Sequence, residues 1–159
     1  MFREMRRNKQ QITEAECIQV LTDEKRGVLS VIGEDGYPYG MPMNFWFDPE
    51  DGHIYFHGAK AGHKIDAIRA NNKVCFTVFE KEGYQDEGDW PWNVKSVVIF
   101  GTIHEVTDPE KAWRVTECLG HKYTTEEDYV ERTLQKHMPN VLNLELIPDH
   151  MTGKLVNES

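Results

Sequence analysis

Six stretches rich in β-branched and aromatic residues, each bounded by turn residues, predict strands along the chain. They are GVLSVIG (27–33), YPYGMPMNFWF (37–47), HIYFHG (53–58), KVCFTVFE (73–80), VKSVVIFGTIHEV (94–106) and NVLNLELI (140–147). The joints Asp35-Gly36 and Asp51-Gly52 carry hairpin-turn chemistry. Short joints favour antiparallel pairing, so the expected class is mainly β, as a meander or barrel, with helical inserts.

A helical period interrupts this pattern in four places. Thr13 with Glu16 forms a capping box before AECIQVL, Ile12 is placed to staple against Cys17, and Gly27 is the expected stop. Ile65 and Ile68 share a face of AGHKIDAIRANN (61–72). Asp108 as N-cap and Pro109 at the first position open a helix whose stripe is Ala112, Val115 and Leu119. Thr124 with Glu127 predicts a second capping box for the helix that follows. The acidic segment EKEGYQDEGDWPWN (80–93) has no period and reads as a long loop, in which Trp90 and Trp92 are expected to cover a core or a partner.

Composition narrows the function classes. The 159 residues, 39% hydrophobic and 11% aromatic, suit a single domain with a real core. A formal net charge of −9 argues against nucleic acid as a partner. The longest strongly apolar run is VVIF (97–100), so no membrane span is expected. The N-terminal MFREMRRNKQQ has no apolar block behind its charges, and a cytoplasmic location is the expectation. Cys17, Cys75 and Cys118 are odd in number and far apart, which predicts reduced thiols and neither a disulfide framework nor a metal centre.

Residues 57–64, HGAKAGHK, put two histidines and two lysines among glycines and alanines. Small residues let an anion approach the backbone, a helix start offers free N–H groups, and Lys64 with a protonated His63 adds charge-assisted hydrogen bonds. That chemistry suits a phosphate monoester; a solvent-exposed lysine beside a loop histidine is the bland alternative. His57 and His63 match no usual metal-ligand spacing. The Walker loop, GxGxxG and GxSxG are all missing.

In this order, GYPYGMPMNF, IYFHGAKAGHKIDAI, NNKVCFTVFE and KSVVIFGTIHEV resemble the FMN-binding split-barrel proteins, the pyridoxamine 5'-phosphate oxidase-like superfamily. MRRNKQQIT and HMTGK resemble its Nim-type 5-nitroimidazole-resistance subgroup. The resemblance implies one domain over 1–159, a six-stranded antiparallel split β-barrel of Greek-key-like order with peripheral helices, and a homodimer holding FMN at its interface. It places Met41, Pro42, Met43 and Asn44 along the flavin ring and ribityl chain, and His57, Gly58 and Ala59 past the ribityl and ring edge. It puts His63 and Lys64 at the FMN phosphate, Ser96 and Val97 at a position reaching across from the other subunit, and Met151 and Lys154 in a tail that closes the site.

Two departures bear on activity. His63 stands where the oxidases carry arginine, so phosphate affinity is expected to weaken as pH rises. The tail HMTGKLVNES lacks the arginine that binds pyridoxamine phosphate in the oxidases, so oxidation of vitamin B6 is not expected. The resemblance then implies an FMN-dependent oxidoreductase that uses NAD(P)H to reduce small planar electrophiles such as nitroaromatics, with His57 as the candidate catalytic residue. The alternatives are a flavin-binding or redox-sensing protein without a substrate, and a haem-handling split barrel.

Overall fold

The two edges of the sheet are neighbours in sequence, and this decides the architecture. In the computed structural model, which describes residues 1–157, the strands are β1 (Arg26–Ile32), β2 (Pro38–Asn44), β3 (Trp46–Phe47), β4 (Ile54–Ala59), β5 (Lys73–Phe79), β6 (Val94–Glu105) and β7 (Val141–Val156). The last two residues of the expected 1–159 domain lie outside the described residues. The strands form one sheet in the order β2-β1-β5-β6-β7-β4-β3, antiparallel at every pairing. Laid flat, seven strands at ~4.8 Å spacing would hold the edges roughly 29 Å apart. Only Phe45 separates β2 from β3, and two Cα steps reach about 7 Å at most. The sheet must therefore curl until its edges meet.

Phe45 also explains why the predicted 37–47 strand divides, giving seven strands for the expected six. Its amide donates to the Tyr123 hydroxyl at 3.0 Å and not to a neighbouring strand, and the same hydroxyl donates to the Lys25 carbonyl. The ladder breaks at that residue, and the chain changes partner from β1 to β4. Gly36 (φ 81°) and Gly52 (φ 76°) turn the β1–β2 and β3–β4 hairpins as Asp-Gly chemistry predicts.

Four α-helices decorate the sheet: α1 (Glu14–Asp23), α2 (His63–Ala70), α3 (Pro109–Tyr123) and α4 (Glu127–His137). The Thr13–Glu16 capping box is formed, and Cys17, Val20 and Leu21 bury the inner face of α1. The helix ends at Asp23, short of Gly27; that glycine lies in β1, where a Cβ would sit 2.4 Å from the Phe76 ring. Asp108 caps α3 through the Glu110 and Lys111 amides. The predicted second capping box does not form. Helix α4 begins at Glu127 without a side-chain cap, and the Thr124 hydroxyl accepts from the Glu126 amide, so it shapes the turn before the helix.

The inward positions of β1, β4, β5 and β6 (Leu29, Val31, Ile54, Phe56, Val74, Phe76, Val97, Ile99) build the main core, with Met41 and Met43 joining from β2 and Phe45 from the junction after it. A second cluster lies outside the sheet, where Val115 and Leu119 of α3 cover Tyr55. Three bonds fasten α3 to β7: buried Asn143 donates to the Ala112 carbonyl (3.0 Å) and to the Thr116 hydroxyl (2.9 Å), and Lys111 donates to Glu145 (2.7 Å).

Strand β7 runs nine residues past the predicted strand end and pairs with β6 to Val156. Pro148 and Gly153 look like strand breakers, yet Pro148 lies at an irregularity opposite Phe100 and Gly101, where a proline needs no ladder donor. Gly101 has to be glycine, because a Cβ there would stand 2.2 Å from the Ile147 carbonyl oxygen. Met151 and Lys154 are therefore not on a closing tail; they are laddered into the sheet opposite Ile99 and Ser96. The 80–93 segment is a loop pinched by mutual backbone bonds between Tyr84 and Asn93, and its Trp90 and Trp92 are exposed.

Candidate functional site

Helix α2 is anchored by Ile65, Ala67 and Ile68, and that anchoring aims its first turn at the end of β2 and β4. Gly62, at φ 125°, turns the chain into the helix and offers no side-chain cap. Lys64 points its ammonium at the Met43 sulfur, 3.5 Å away, and past Gly58, where a Cβ would lie 3.2 Å from Nζ. The His63 ring stacks on Tyr39 (centroids 4.5 Å, 12° between planes). The sheet thus provides the surface and the helix the charge.

Lys64 is half-buried, and among the described residues no carboxylate pairs with it. Burial lowers its pKa. An ammonium desolvated without an anion is unfavourable, so its position is explained when a ligand supplies the negative charge. His57 stands beside it on β4. His57 keeps an exposed edge, yet the protein packed around it and the charge of Lys64 lower its pKa, which favours the neutral imidazole at pH 7. The ring makes no hydrogen bond within the described residues.

His57 and Asn44 also line a cavity of about 510 Å³ between the sheet and the α3–α4 pair. The Asn44 side-chain oxygen accepts from Arg26 Nε at 3.0 Å. Met43, Asn44, His57, Gly58, His63 and Lys64 are therefore brought together from three elements. Met41 lies on the same inward face of β2 as Met43, while Pro42 and Ala59 are exposed. Ser96, Val97, Met151 and Lys154 form a separate neighbourhood on β6 and β7. Ser96 pairs with Lys154, and the Val97 side chain is fully buried in the core. Strand β6 lies three places from β2 in the sheet order.

Sequence reasoning missed Tyr39 as the partner of His63 and missed the α3–α4 wall entirely. Tyr39 had a signal: it sits two and four residues before Met41 and Met43, on the same strand face. The helical wall had none, because which strand a helix covers is a tertiary fact.

Among the described residues, one further group has the make-up of a metal centre. Asp51, His53 and Glu145 bring ligand atoms within 4.8 Å of one another. The Lys111 ammonium already lies 2.7 Å from Glu145, and the Tyr55 hydroxyl donates between Asp51 and Glu145. The group is neutralised from within and serves to hold α3.

The family described as pyridoxamine 5'-phosphate oxidase matches residues 13–155. No curated protein matches the chain. Among solved structures, a candidate 5-nitroimidazole antibiotic resistance protein of Bacteroides thetaiotaomicron is 22% identical, with a TM-score of 0.77 over 92% of this chain and 87% of that one. An FAD-binding protein of Mesorhizobium loti is 26% identical, with a TM-score of 0.62 over 92% and 96%. An FAD- and haem-binding protein of Mycobacterium smegmatis is 20% identical, with a TM-score of 0.71 over 94% and 74%. These likenesses agree with the curled antiparallel sheet derived from strand order. With nearly its whole length matched, this chain belongs to the pyridoxamine 5'-phosphate oxidase family.

Proposed function

We propose that this protein is an FMN-dependent oxidoreductase that reduces small planar electrophiles, nitroaromatics among them, with electrons from NAD(P)H. The observation that carries this reading is Lys64: a half-buried cation with no carboxylate partner among the described residues, at a helix start without a side-chain cap, with Gly58 keeping the approach open. One lysine and one histidine suit a single terminal phosphate. FMN, when bound, supplies the electron-carrying ring chemistry. Lys64 and His63 would hold the phosphate, and Met43, Asn44 and Gly58 would flank the rest of the cofactor. His57, held neutral by desolvation and by Lys64, can donate or accept a hydrogen bond at the reacting end.

A homodimer fits the outer face of the sheet. Ile32 on β1, Phe79 on β5 and Phe100 on β6 are exposed there, with Trp90 and Trp92 in the loop joining β5 to β6. Exposed apolar side chains gathered on one face support an interface there. In a dimer, Ser96 and its neighbours would act on the partner's cofactor, in keeping with the place of β6 three strands from β2 in the sheet order. Oxidation of pyridoxamine phosphate is disfavoured: the described part of β7 has no arginine, and it is locked into the sheet.

The test is the absorption spectrum of freshly purified protein, followed by turnover of NAD(P)H with a nitroimidazole against free FMN. A flavin spectrum and a rate well above free FMN are expected. A rate no better than free FMN reduces the protein to a flavin-binding module, and a Soret band in place of flavin overturns the proposal. His57→Ala is expected to lower turnover roughly tenfold, the worth of one hydrogen bond of about 1.5 kcal/mol, while FMN stoichiometry is kept. Loss of flavin with an unchanged rate per bound FMN would show that His57 belongs to cofactor binding alone.

A further inference from the structure

The cavity between the sheet and the α3–α4 pair has a lining that does not resemble the rest of the molecule. Fourteen residues line it, and none is Asp, Glu, Lys or Arg. In a chain with 28% charged residues, about four would be expected. Helix α4 is strongly charged on its outer face, with Glu127, Asp128, Glu131, Arg132 and Lys136 all exposed. The surface facing the cavity carries no carboxylate, ammonium or guanidinium. Val130 and Leu134 of α4 are buried against α3, and a Cβ on Gly120 would stand 2.9 Å from Val130, so the helices touch at that point.

Apart from the imidazoles of His57 and His137, the polar groups that remain are hydroxyls and one amide. Thr116 and Tyr123 spend their hydroxyls on Ala112 and on Lys25 and Phe45. Asn44 Nδ2, His57, Tyr129 and Thr133 have no hydrogen-bond partner for these groups within the described residues. A wall of this kind leaves charged ligands undersolvated and rewards burial of an apolar ring with one or two hydrogen-bonding atoms. About 510 Å³ is room for such a molecule.

We infer that this cavity is the substrate site, that it takes uncharged aromatic molecules and excludes charged ones, and that α4 sets its specificity through Thr133 and Tyr129. The inference rests on the proposed oxidoreductase reading. Its link to that reading is His57, which lines the cavity and lies on β4 next to Gly58, the residue that Lys64 passes.

The test compares nitrobenzene with 4-nitrobenzoate, which have similar size and differ in charge, by calorimetry on flavin-loaded and flavin-free protein. Nitrobenzene is expected to bind both forms, and 4-nitrobenzoate at least tenfold more weakly. Thr133→Trp fills the cavity and is expected to weaken nitrobenzene at least tenfold while FMN content stays the same. Tyr129→Lys, at an exposed position where folding is not at issue, puts a cation at the mouth. It should strengthen 4-nitrobenzoate at least threefold and leave nitrobenzene within twofold. Equal affinity for the two compounds in the unmodified protein, or no response of 4-nitrobenzoate to Tyr129→Lys, overturns the inference. Because the flavin-free protein is measured as well, a failure to bind FMN would be seen separately from a failure of the cavity.

Discussion

Lys64→Glu is expected to yield folded protein that no longer retains FMN. The substitution replaces the one half-buried, unpaired ammonium of the cradle with a carboxylate, so attraction to the phosphate becomes repulsion. Neutral Lys64→Gln removes a charge-assisted hydrogen bond worth about 1.5–3 kcal/mol, which is roughly a 10- to 150-fold loss of affinity. The glutamate variant should lose more than that. Folding is protected, because position 64 lies in the first turn of α2, where a negative charge favours the helix dipole. Circular dichroism and melting temperature should therefore match the parent while absorbance near the flavin band is lost. Stoichiometric FMN in Lys64→Glu would move the phosphate elsewhere and remove the central support for the proposed function.

The same residue predicts a pH dependence. Burial lowers the Lys64 pKa, so its proton is lost at a lower pH than from a solvated lysine. The phosphate-binding form is the protonated one. FMN affinity should accordingly decline as pH climbs into that window, and Lys64→Gln should flatten this part of the profile. Fluorescence titration of FMN at a series of alkaline pH values reads both.

Much of this molecule could be read from local patterns, because local patterns fixed those parts. Thr13 and Glu16 are three residues apart and satisfy each other whatever lies beyond, and Asp35-Gly36 and Asp51-Gly52 turn their hairpins with local chemistry, each aspartate accepting from the amide two residues on and each glycine taking positive φ. The cradle was legible for a related reason: His57, Gly58, His63 and Lys64 lie within eight residues, and one strand-to-helix turn assembles them. What escaped were decisions made at a distance. Pro148 and Gly153 end a strand by propensity, but β6 supplies a partner that continues it. Gly27 reads as a helix stop, but the Phe76 ring claims its space. The neutral cavity depends on α3 and α4 lying over His57, and no spacing along the chain encodes that.

Phe45→Ala is expected to cost about 3–5 kcal/mol of stability, the range for a fully buried phenylalanine whose site cannot collapse. For a chain of this length that is a drop in melting temperature of roughly 6–20 °C. Three contacts argue for the upper part of the range. The ring meets Phe76 edge-on at 5.1 Å, and Phe76 in turn meets Phe56 at 5.0 Å, so the cavity opens at the centre of the core. The Lys122 ammonium lies 3.7 Å from the Phe45 ring centroid, and burial has already pushed the lysine pKa down to about 8. Removing the ring takes away a favourable contact of that ammonium and leaves it no better solvated. Phe45 is also the single residue joining the two edge strands, so loosening it loosens the closure of the sheet. Phe45→Leu keeps most of the volume and the backbone bond to Tyr123, and should recover more than half of the loss. If Phe45→Ala melts within about 2 °C of the parent, then the seam is held by the Tyr123 hydroxyl and not by the packed ring. In that case Tyr123→Phe, which removes the hydroxyl while keeping its ring, must show the larger drop.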